Sequence, residues 1–397
     1  MSSENKEVLI AGATRLPTGK FLGGLSGFTA PQLGALALNE ALKRAELAPE
    51  LVEEVIMGNV VQAGEGQAPA RQAAIGAGVP ADVSAMTINK VCGSGLKAVM
   101  LAANSIKADE QDILLVGGME SMSNAPYLMR EARTGFRMGN KEVLDAVVHD
   151  GLWCAFENQH MGMAAETIAE MYEVKRTEMD DFAFNSHRKA ARAIADGAFK
   201  REIVPIEIKG KNGSTFFDTD EPVRTDTSIE GLAKLKPVFK PQGGLVTAGN
   251  APGLSDGASA MVVLSRQAAE KHGIAVQARV TGYSFAGIEP KYVFGAPPRA
   301  IKKLLAKTGM NIDDFDLIEI NEAFSSQVLA NVKESKIDIN KVNIRGGAVA
   351  LGHPIGSSGA RVLVTLIHAL QDTGGKRGLA TLCLGGGGAV AMSIELV

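Results

Sequence analysis

Short apolar runs alternate with helical periodicities over the first 120 residues. Val8 to Ala13 predicts a strand. Ala30 to Glu46 carries Leu33, Leu36, Ala37, Ala41 and Leu42 on one face and predicts an amphipathic helix. Glu54 to Val60 predicts a strand, Ala68 to Ala77 a helix, and Asp112 to Gly118 a buried strand around Ile113-Leu114-Leu115-Val116. Between them Met86 to Val91 leads into Cys92-Gly93-Ser94-Gly95. There Leu96, Val99, Met100, Ala103 and Ile106 recur at helical spacing. Strands alternating with helices predict an α/β layer built on crossovers.

The middle of the chain breaks this rhythm. Met163 to Tyr172 and Glu178 to Asp196 predict helices. Around them lie polar, Gly-bearing stretches such as Lys209-Gly210-Lys211-Asn212-Gly213, which read as an irregular, lid-like insertion. Core character returns at Gly257-Ala258-Ser259-Ala260 and Met261 to Leu264. The last third then repeats the order of the first. Arg279 to Gly282 resembles Leu9 to Gly12, and Leu317 to Asn321 resembles Glu54 to Gly58. Gly356 to Val362 resembles Cys92 to Ala98, and Leu382 to Gly386 resembles Leu115 to Gly118. The near-constant offset predicts a duplicated α/β unit. A pseudo-twofold axis would bring Cys92 close to the Gly352-His353-Pro354 and Cys383 turns.

Composition narrows the partners. The chain has 397 residues, too many for one ordinary core. A net charge of −3 gives no reason to expect nucleic acid as a partner. No apolar run reaches membrane-spanning length, so no membrane association is expected. Met1 to Glu7 is polar and has no signal-like apolar region. Three cysteines, Cys92, Cys154 and Cys383, form no disulfide framework and no CxxC pair. The expected compartment is reducing and cytoplasmic.

The chemistry gathers where predicted strands end, as ligands do in open α/β sheets. Cys92 precedes a helix whose unpaired N–H groups and dipole would favour its thiolate. A core thiol is the alternative. Asn321, His353 and Cys383 lie in matched turns; each read alone is also a helix cap, a packed histidine or a core residue. Ser94 is not an elbow nucleophile, because Cys92 and Leu96 stand where that motif needs glycines. The thiols lack the spaced histidines of a zinc site, so no metal is expected.

Five motifs carry a resemblance over essentially the whole length: Val91 to Gly95, Gly117 to Ser123, Asn321-Glu322-Ala323-Phe324, Gly346 to Pro354, and Cys383 with its glycines. The chain is similar to the thiolase family, and His160-Met161-Gly162 resembles the short-chain, acetoacetyl-CoA type. The resemblance implies a duplicated thiolase fold, two mixed-sheet α/β halves in an αβαβα arrangement. The halves would be residues 1–121 plus 252–273 and residues 274–397. Residues 122–251 would form a loop domain binding coenzyme A.

The resemblance also implies the reaction, a reversible Claisen condensation of two acetyl-CoA to acetoacetyl-CoA plus CoA by a ping-pong route. Cys92 would carry the acyl group, His353 would take its proton, and Cys383 would deprotonate the second acetyl-CoA. The N–H groups of Cys92 and Gly385 would hold one oxyanion; His353 and a water on Asn321 would hold the other. Arg224 would lie on the adenine, and Leu152, His160, Met161, Leu235, Phe239 and Ala248 along the pantetheine. Ala323 and Phe324 would close the acyl end, with Phe294 nearby. Pro252 stands where many members carry a Ser, and offers neither hydroxyl nor N–H. No cofactor is implied, and a homotetramer is expected. The rival readings are a broader-chain 3-ketoacyl-CoA thiolase of β-oxidation, a ketoacyl synthase and a non-catalytic acyl-CoA carrier. A synthase would carry a second His in place of Cys383. A carrier would have lost one of the three reactive residues.

Overall fold

The computed structural model describes residues 6–210 and 213–397. Residues 1–5, and Lys211 and Asn212 of the polar turn, lie outside them. Nine strands carry the fold: β1 (Val8–Arg15), β2 (Glu54–Gly58), β3 (Ser84–Ile88), β4 (Ile113–Ser121), β5 (Ser255–Ser265), β6 (Ala278–Gly287), β7 (Leu317–Ile320), β8 (Arg377–Leu384) and β9 (Gly388–Leu396). Their order is β7-β8-β9-β6-β1-β5-β4-β2-β3, with a two-residue strand, Gly19–Lys20, added to β5. The pairs β2/β3, β2/β4 and β7/β8 are parallel and the rest antiparallel. Two half-sheets meet where Leu9 and Ile10 pair with Arg279 and Ala278.

Strand alternation sorts the side chains into layers. Ile10, Leu114, Val116, Met261 and Val263 point to one face of the first half-sheet. They pack on α3 (Ser94–Lys107) and α8 (Ile355–Thr373), as do Leu382, Val390 and Met392 from the second. The intervening residues Leu9, Leu115, Val262 and Leu264 face the other way, onto α1 (Ala30–Arg44) and α2 (Pro69–Gly76). On the far side Leu379, Ala389 and Ala391 pack on α6 (Pro297–Thr308) and α7 (Ser325–Ser335). The result is an αβαβα sandwich. α8 is buried from Ile355 to Leu370 because both sheets enclose it, which explains why it is apolar around most of its girth. α1 starts at a capping box between Thr29 and Gln32.

The repeat read from sequence is visible in the topology. The order β1-β5-β4-β2 has its counterpart in β6-β9-β8-β7. β3 has no full counterpart; a single bridge from Val342 to Ile318 stands in its place. The helix crossing between α3 and α8 is reciprocal. A Cβ on Gly95 would sit 2.6 Å from the Ala360 nitrogen, and one on Gly359 would sit 2.4 Å from the Leu96 nitrogen. Only glycine lets the two central helices touch backbone to backbone.

The insertion holds α4 (Met161–Met171) and α5 (Arg176–Ala195). The residues on either side of Lys211 and Asn212 are more regular than expected, since Ile206–Gly210 and Gly213–Phe217 pair as antiparallel strands. Buried ion pairs tie the insertion to the core. Arg15 of β1 bonds Glu202 Oε1 at 2.6 Å and Asp220 at 2.6 and 2.9 Å. Glu202 also accepts from Thr365 of α8 at 3.1 Å.

Candidate active site

The Cys92 turn is strained and tightly bonded. Val91, just before Cys92, sits at φ 47°, a left-handed conformation rare for a β-branched residue. Ser94 fixes it: its hydroxyl donates to the Val91 carbonyl at 2.6 Å and accepts from the Lys90 N–H at 2.8 Å. Ser94 is thus a turn residue, as its sequence context implies. Gly93 takes no side chain, because a Cβ would fall 2.2 Å from Leu384 of β8. Gly385 in turn packs against Val91. The two halves therefore interlock at the two turns that carry Cys92 and Cys383.

His353 arrives from the other half through Ala348–Leu351, a short helix ended by Gly352 at φ 92°. Its backbone N–H donates to Ser255 Oγ at 3.2 Å. Its Nδ1 lies 2.6 Å from Ser358 Oγ, and that hydroxyl donates to the Pro354 carbonyl at 2.9 Å. Ser358 therefore accepts from Nδ1–H, which leaves Nε2 unprotonated and able to accept. Asn321 Nδ2 reaches Nε2 at 3.4 Å. Asn321 continues the strand ladder, its N–H donating to the Thr381 carbonyl at 3.0 Å. Its neighbour Glu322 is buried and held by Ser186 Oγ, Asn343 Nδ2 and the Val349 N–H.

These groups open onto one cavity of about 450 Å³. Cys92, His353, Cys383, Gly385, Leu152, His160, Met161, Arg224, Phe239, Ala248, Ala323, Phe324 and Phe294 all line it, and so does Pro252. Two candidates stand apart. Asn321 lies behind His353, and Leu235 packs with Leu232 and Val349 behind Gly249. Val148, Gly151, Thr247, Leu254 and Ile355 also line the cavity and were not singled out from sequence. Val148, Gly151 and Leu152 belong to a π-helical turn, Val147–Leu152, which has no local sequence signature.

The far wall is aromatic. His160 caps α4, accepting from the Gly162 N–H at 3.0 Å, and its ring stacks on Phe239 at 4.5 Å between centroids. Gly162 is needed there, since a Cβ would lie 2.2 Å from the Phe239 ring. Phe324 meets Phe239 and Phe294 edge to face, at 6.5 and 5.4 Å. Cys383 packs in this cluster, on the side of β8 facing away from the central helices. The Arg224 N–H donates to buried His187 Nδ1 at 3.1 Å, which fixes the arginine's loop.

The electrostatics correct one sequence expectation. The helix start does not make Cys92 a resting thiolate. Burial pushes its thiol up to about 12, and the Glu120 charge adds to this; the N–H groups of Cys92 and Gly385 act on the sulfur in the opposite sense. Desolvation outweighs the dipole here. Burial likewise raises Cys383 well above the ordinary thiol range, with Cys92 as a further cause. Burial, helped by Arg361, lowers His353 to about 3. The resting site holds two neutral thiols and a neutral imidazole. Among the described residues, no group of three or more His, Cys, Asp or Glu is placed to hold a metal ion. No described helix is long and apolar enough to cross a membrane.

Comparison with known proteins agrees with this geometry over the whole chain. Residues 8–267 match the family model for the thiolase N-terminal domain, and residues 274–396 match that for the thiolase C-terminal domain. The chain is 49% identical to an acetyl-CoA acetyltransferase of Pseudomonas aeruginosa over 390 residues, covering 98% of this chain and 99% of that protein. It is 50% identical to one from Syntrophomonas wolfei over 394 residues, with the same coverage. A crystal structure of the Bacillus anthracis acetyl-CoA acetyltransferase superposes with a TM-score of 0.97 at 42% identity and covers 100% of both chains.

Proposed function

This chain belongs to the thiolase family, and from that membership we propose that it is an acetyl-CoA C-acetyltransferase. It joins two acetyl-CoA into acetoacetyl-CoA and CoA, and runs the reverse thiolysis. The observation that carries the reading is the convergence of Cys92, His353 and Cys383 on one cavity.

Cys92 attacks the thioester carbonyl as its proton passes to the unprotonated Nε2 of His353, displacing the long Asn321 contact. The N–H groups of Cys92 and Gly385 hold the oxyanion; one such donor contributes roughly 3 kcal/mol of transition-state stabilisation. Cys383 gives its proton to the departing CoA thiolate. The acetyl group is then on Cys92, and the Cys383 thiolate faces the His353 imidazolium. A thiolate whose acid is so weak is a strong base, suited to a proton on carbon. It takes one from the methyl group of the second acetyl-CoA. His353 Nε2–H and a water on Asn321 hold the enolate. The enolate carbon attacks acetyl-Cys92, the C–S bond breaks, and the Cys92 thiolate recovers its proton from His353. Atoms and protons balance around the cycle, and no cofactor is called for.

Leu152, His160, Met161, Arg224, Phe239 and Ala248 guide the CoA arm, with Ala323 and Phe324 at the acyl end. Leu235 would reach the arm only through Gly249. Pro252 offers the pantetheine amide no hydrogen bond. The exposed Tyr127, Phe136 and Met138 give the apolar surface that a homotetramer would cover. A cytoplasmic enzyme with a CoA-binding insertion over residues 122–251 completes the proposal.

The edge-to-face wall of Phe294 and Phe324 argues for a short acyl group rather than the broad range of a β-oxidation thiolase. Thiolysis of 3-ketoacyl-CoA of increasing length tests both activity and range. We expect acetoacetyl-CoA to give the highest kcat/KM, with a steep fall at longer chains. Rates that rise with chain length would favour the broad-chain reading, and binding without turnover would refute the enzyme.

A further inference from the structure

Behind the nucleophile turn lies a pair of carboxyls that the proposed chemistry does not use. Glu120, near the end of β4, is fully buried. Its Oε2 accepts from the N–H of Gly356 at 2.8 Å and of Val60 at 3.2 Å. Its Oε1 accepts from the Val61 N–H at 3.1 Å and Asn59 Nδ2 at 3.0 Å. Four donors fill the acceptor sites of an ionised carboxylate, whereas a protonated acid would turn one site into a donor. Gly356 lies in the first turn of α8, three residues after His353. A Cβ there would come 3.0 Å from Glu120 Oε2 and 2.5 Å from the Met119 carbonyl oxygen. Val60, Val61 and Ile355 pack with Cys92 in one apolar cluster. One carboxylate thus holds both the loop under the nucleophile and the helix start beside its base.

Its partner is Glu65, in the turn Gly64-Glu65-Gly66, whose glycines sit at φ 82° and 85°. Glu65 Oε2 and Asn59 Oδ1 are buried without a hydrogen-bond partner among the described residues. Burial raises both acids: Glu120, against its four donors, to about 7, and Glu65, beside the Glu120 charge, to about 8, with Asn59 acting on Glu65 in the opposite sense. A protonated Glu65 can donate to Asn59 Oδ1 while Asn59 Nδ2 donates to Glu120. The chain of bonds then runs acid, amide, carboxylate, with one negative charge, on Glu120.

We infer that Glu120 is a positioning residue of the thiolase reaction: as a carboxylate, with Glu65 carrying the proton, it fixes the His353 helix start against the Cys92 turn. The inference rests on Cys92 and His353 as nucleophile and base. The titratable groups around Cys92 are Glu120, Cys383 and His353; the one facing Glu120 besides Cys92 is Glu65.

The test is Glu120→Gln, read in three ways. We expect kcat to fall on the order of 10- to 100-fold with KM for acetyl-CoA little changed, as misplacement of a base would do. The pH midpoint for alkylation of Cys92 by iodoacetamide should move down, because a nearby negative charge is removed. The infrared difference spectrum of wild type minus Glu65→Gln at pH 7 should show a carboxylic-acid C=O band that is lost on alkaline titration. This last reading needs no folded Glu120 variant. An unchanged kcat, an unmoved alkylation midpoint or a missing infrared band would each overturn the inference. Acetyl transfer to a Cys92→Ala variant would instead overturn the nucleophile assignment and leave the infrared band in place.

Discussion

At the scale of single residues, environment decides roles that identity leaves open. Cys92 is half-buried and Cys383 buried; both thiols are held above their ordinary range, yet they differ in what surrounds them. Cys92 has the N–H groups of its own residue and of Gly385 beside the sulfur. Cys383 has an apolar, aromatic setting with Phe294 and Phe324. The first suits a nucleophile whose product oxyanion needs donors, and the second a strong base for a carbon acid. A Cys383→Ala enzyme should still acylate slowly but lose deuterium exchange at the acetyl methyl group, by about 100-fold or more. Mass spectrometry of acetyl-CoA recovered from D₂O measures this; exchange at the wild-type rate would remove Cys383 from the role. The identity of these residues was legible in the sequence, through their place at matched strand ends. Their protonation was not. The helix start predicted a thiolate at Cys92, but burial is a property of the folded surroundings and it dominates.

At the scale of elements, the strands and helices of both halves were legible because their apolar periods are regular. β1, β2, α1, α3 and the core of β4 fall where the pattern put them. β4 runs on to Ser121, past the expected end at Gly118, and so brings Glu120 under the Cys92 turn. The π-helical turn Val147–Leu152 was not legible, having no period or turn signature. The pairing of Ile206–Gly210 with Gly213–Phe217 did have a signal, Ile206 and Ile208 alternating with Glu207 and Lys209 ahead of Asn212-Gly213, which the polar composition obscured. The reciprocal contact of Gly95 and Gly359 shows what two glycines in matched motifs are for. Gly95→Ala would drive a Cβ into the α8 backbone, where no side chain can give way. We expect a loss of roughly 3 kcal/mol by denaturant unfolding, at the upper end for overpacking. A loss below roughly 0.5 kcal/mol, the level of an ordinary surface change, would mean that the helices do not cross as described.

At the scale of the whole molecule, duplication explains why the site exists. The matching strand orders place the Cys92 turn of one half against the Cys383 turn of the other, and the turn between Ala348–Leu351 and α8 brings His353 to the same cavity. The offset between repeats makes this legible in the sequence. The route of the insertion was not, because it depends on buried charges far apart in sequence. Arg15, Glu202 and Asp220 meet only in the fold, and no spacing announces them. The insertion nevertheless reaches the cavity with His160, Arg224, Phe239 and Ala248, which would serve as the proposed CoA arm of the site. This architecture should deliver the acyl group to one sulfur, that of Cys92. Intact-mass analysis after brief incubation with acetyl-CoA, followed by peptide mapping, measures it directly. The wild-type chain should gain one acetyl group on the peptide that holds Cys92, and Cys92→Ala should gain none. An adduct that persists in Cys92→Ala, or that maps to Cys383 or Cys154 in the wild type, would contradict the account.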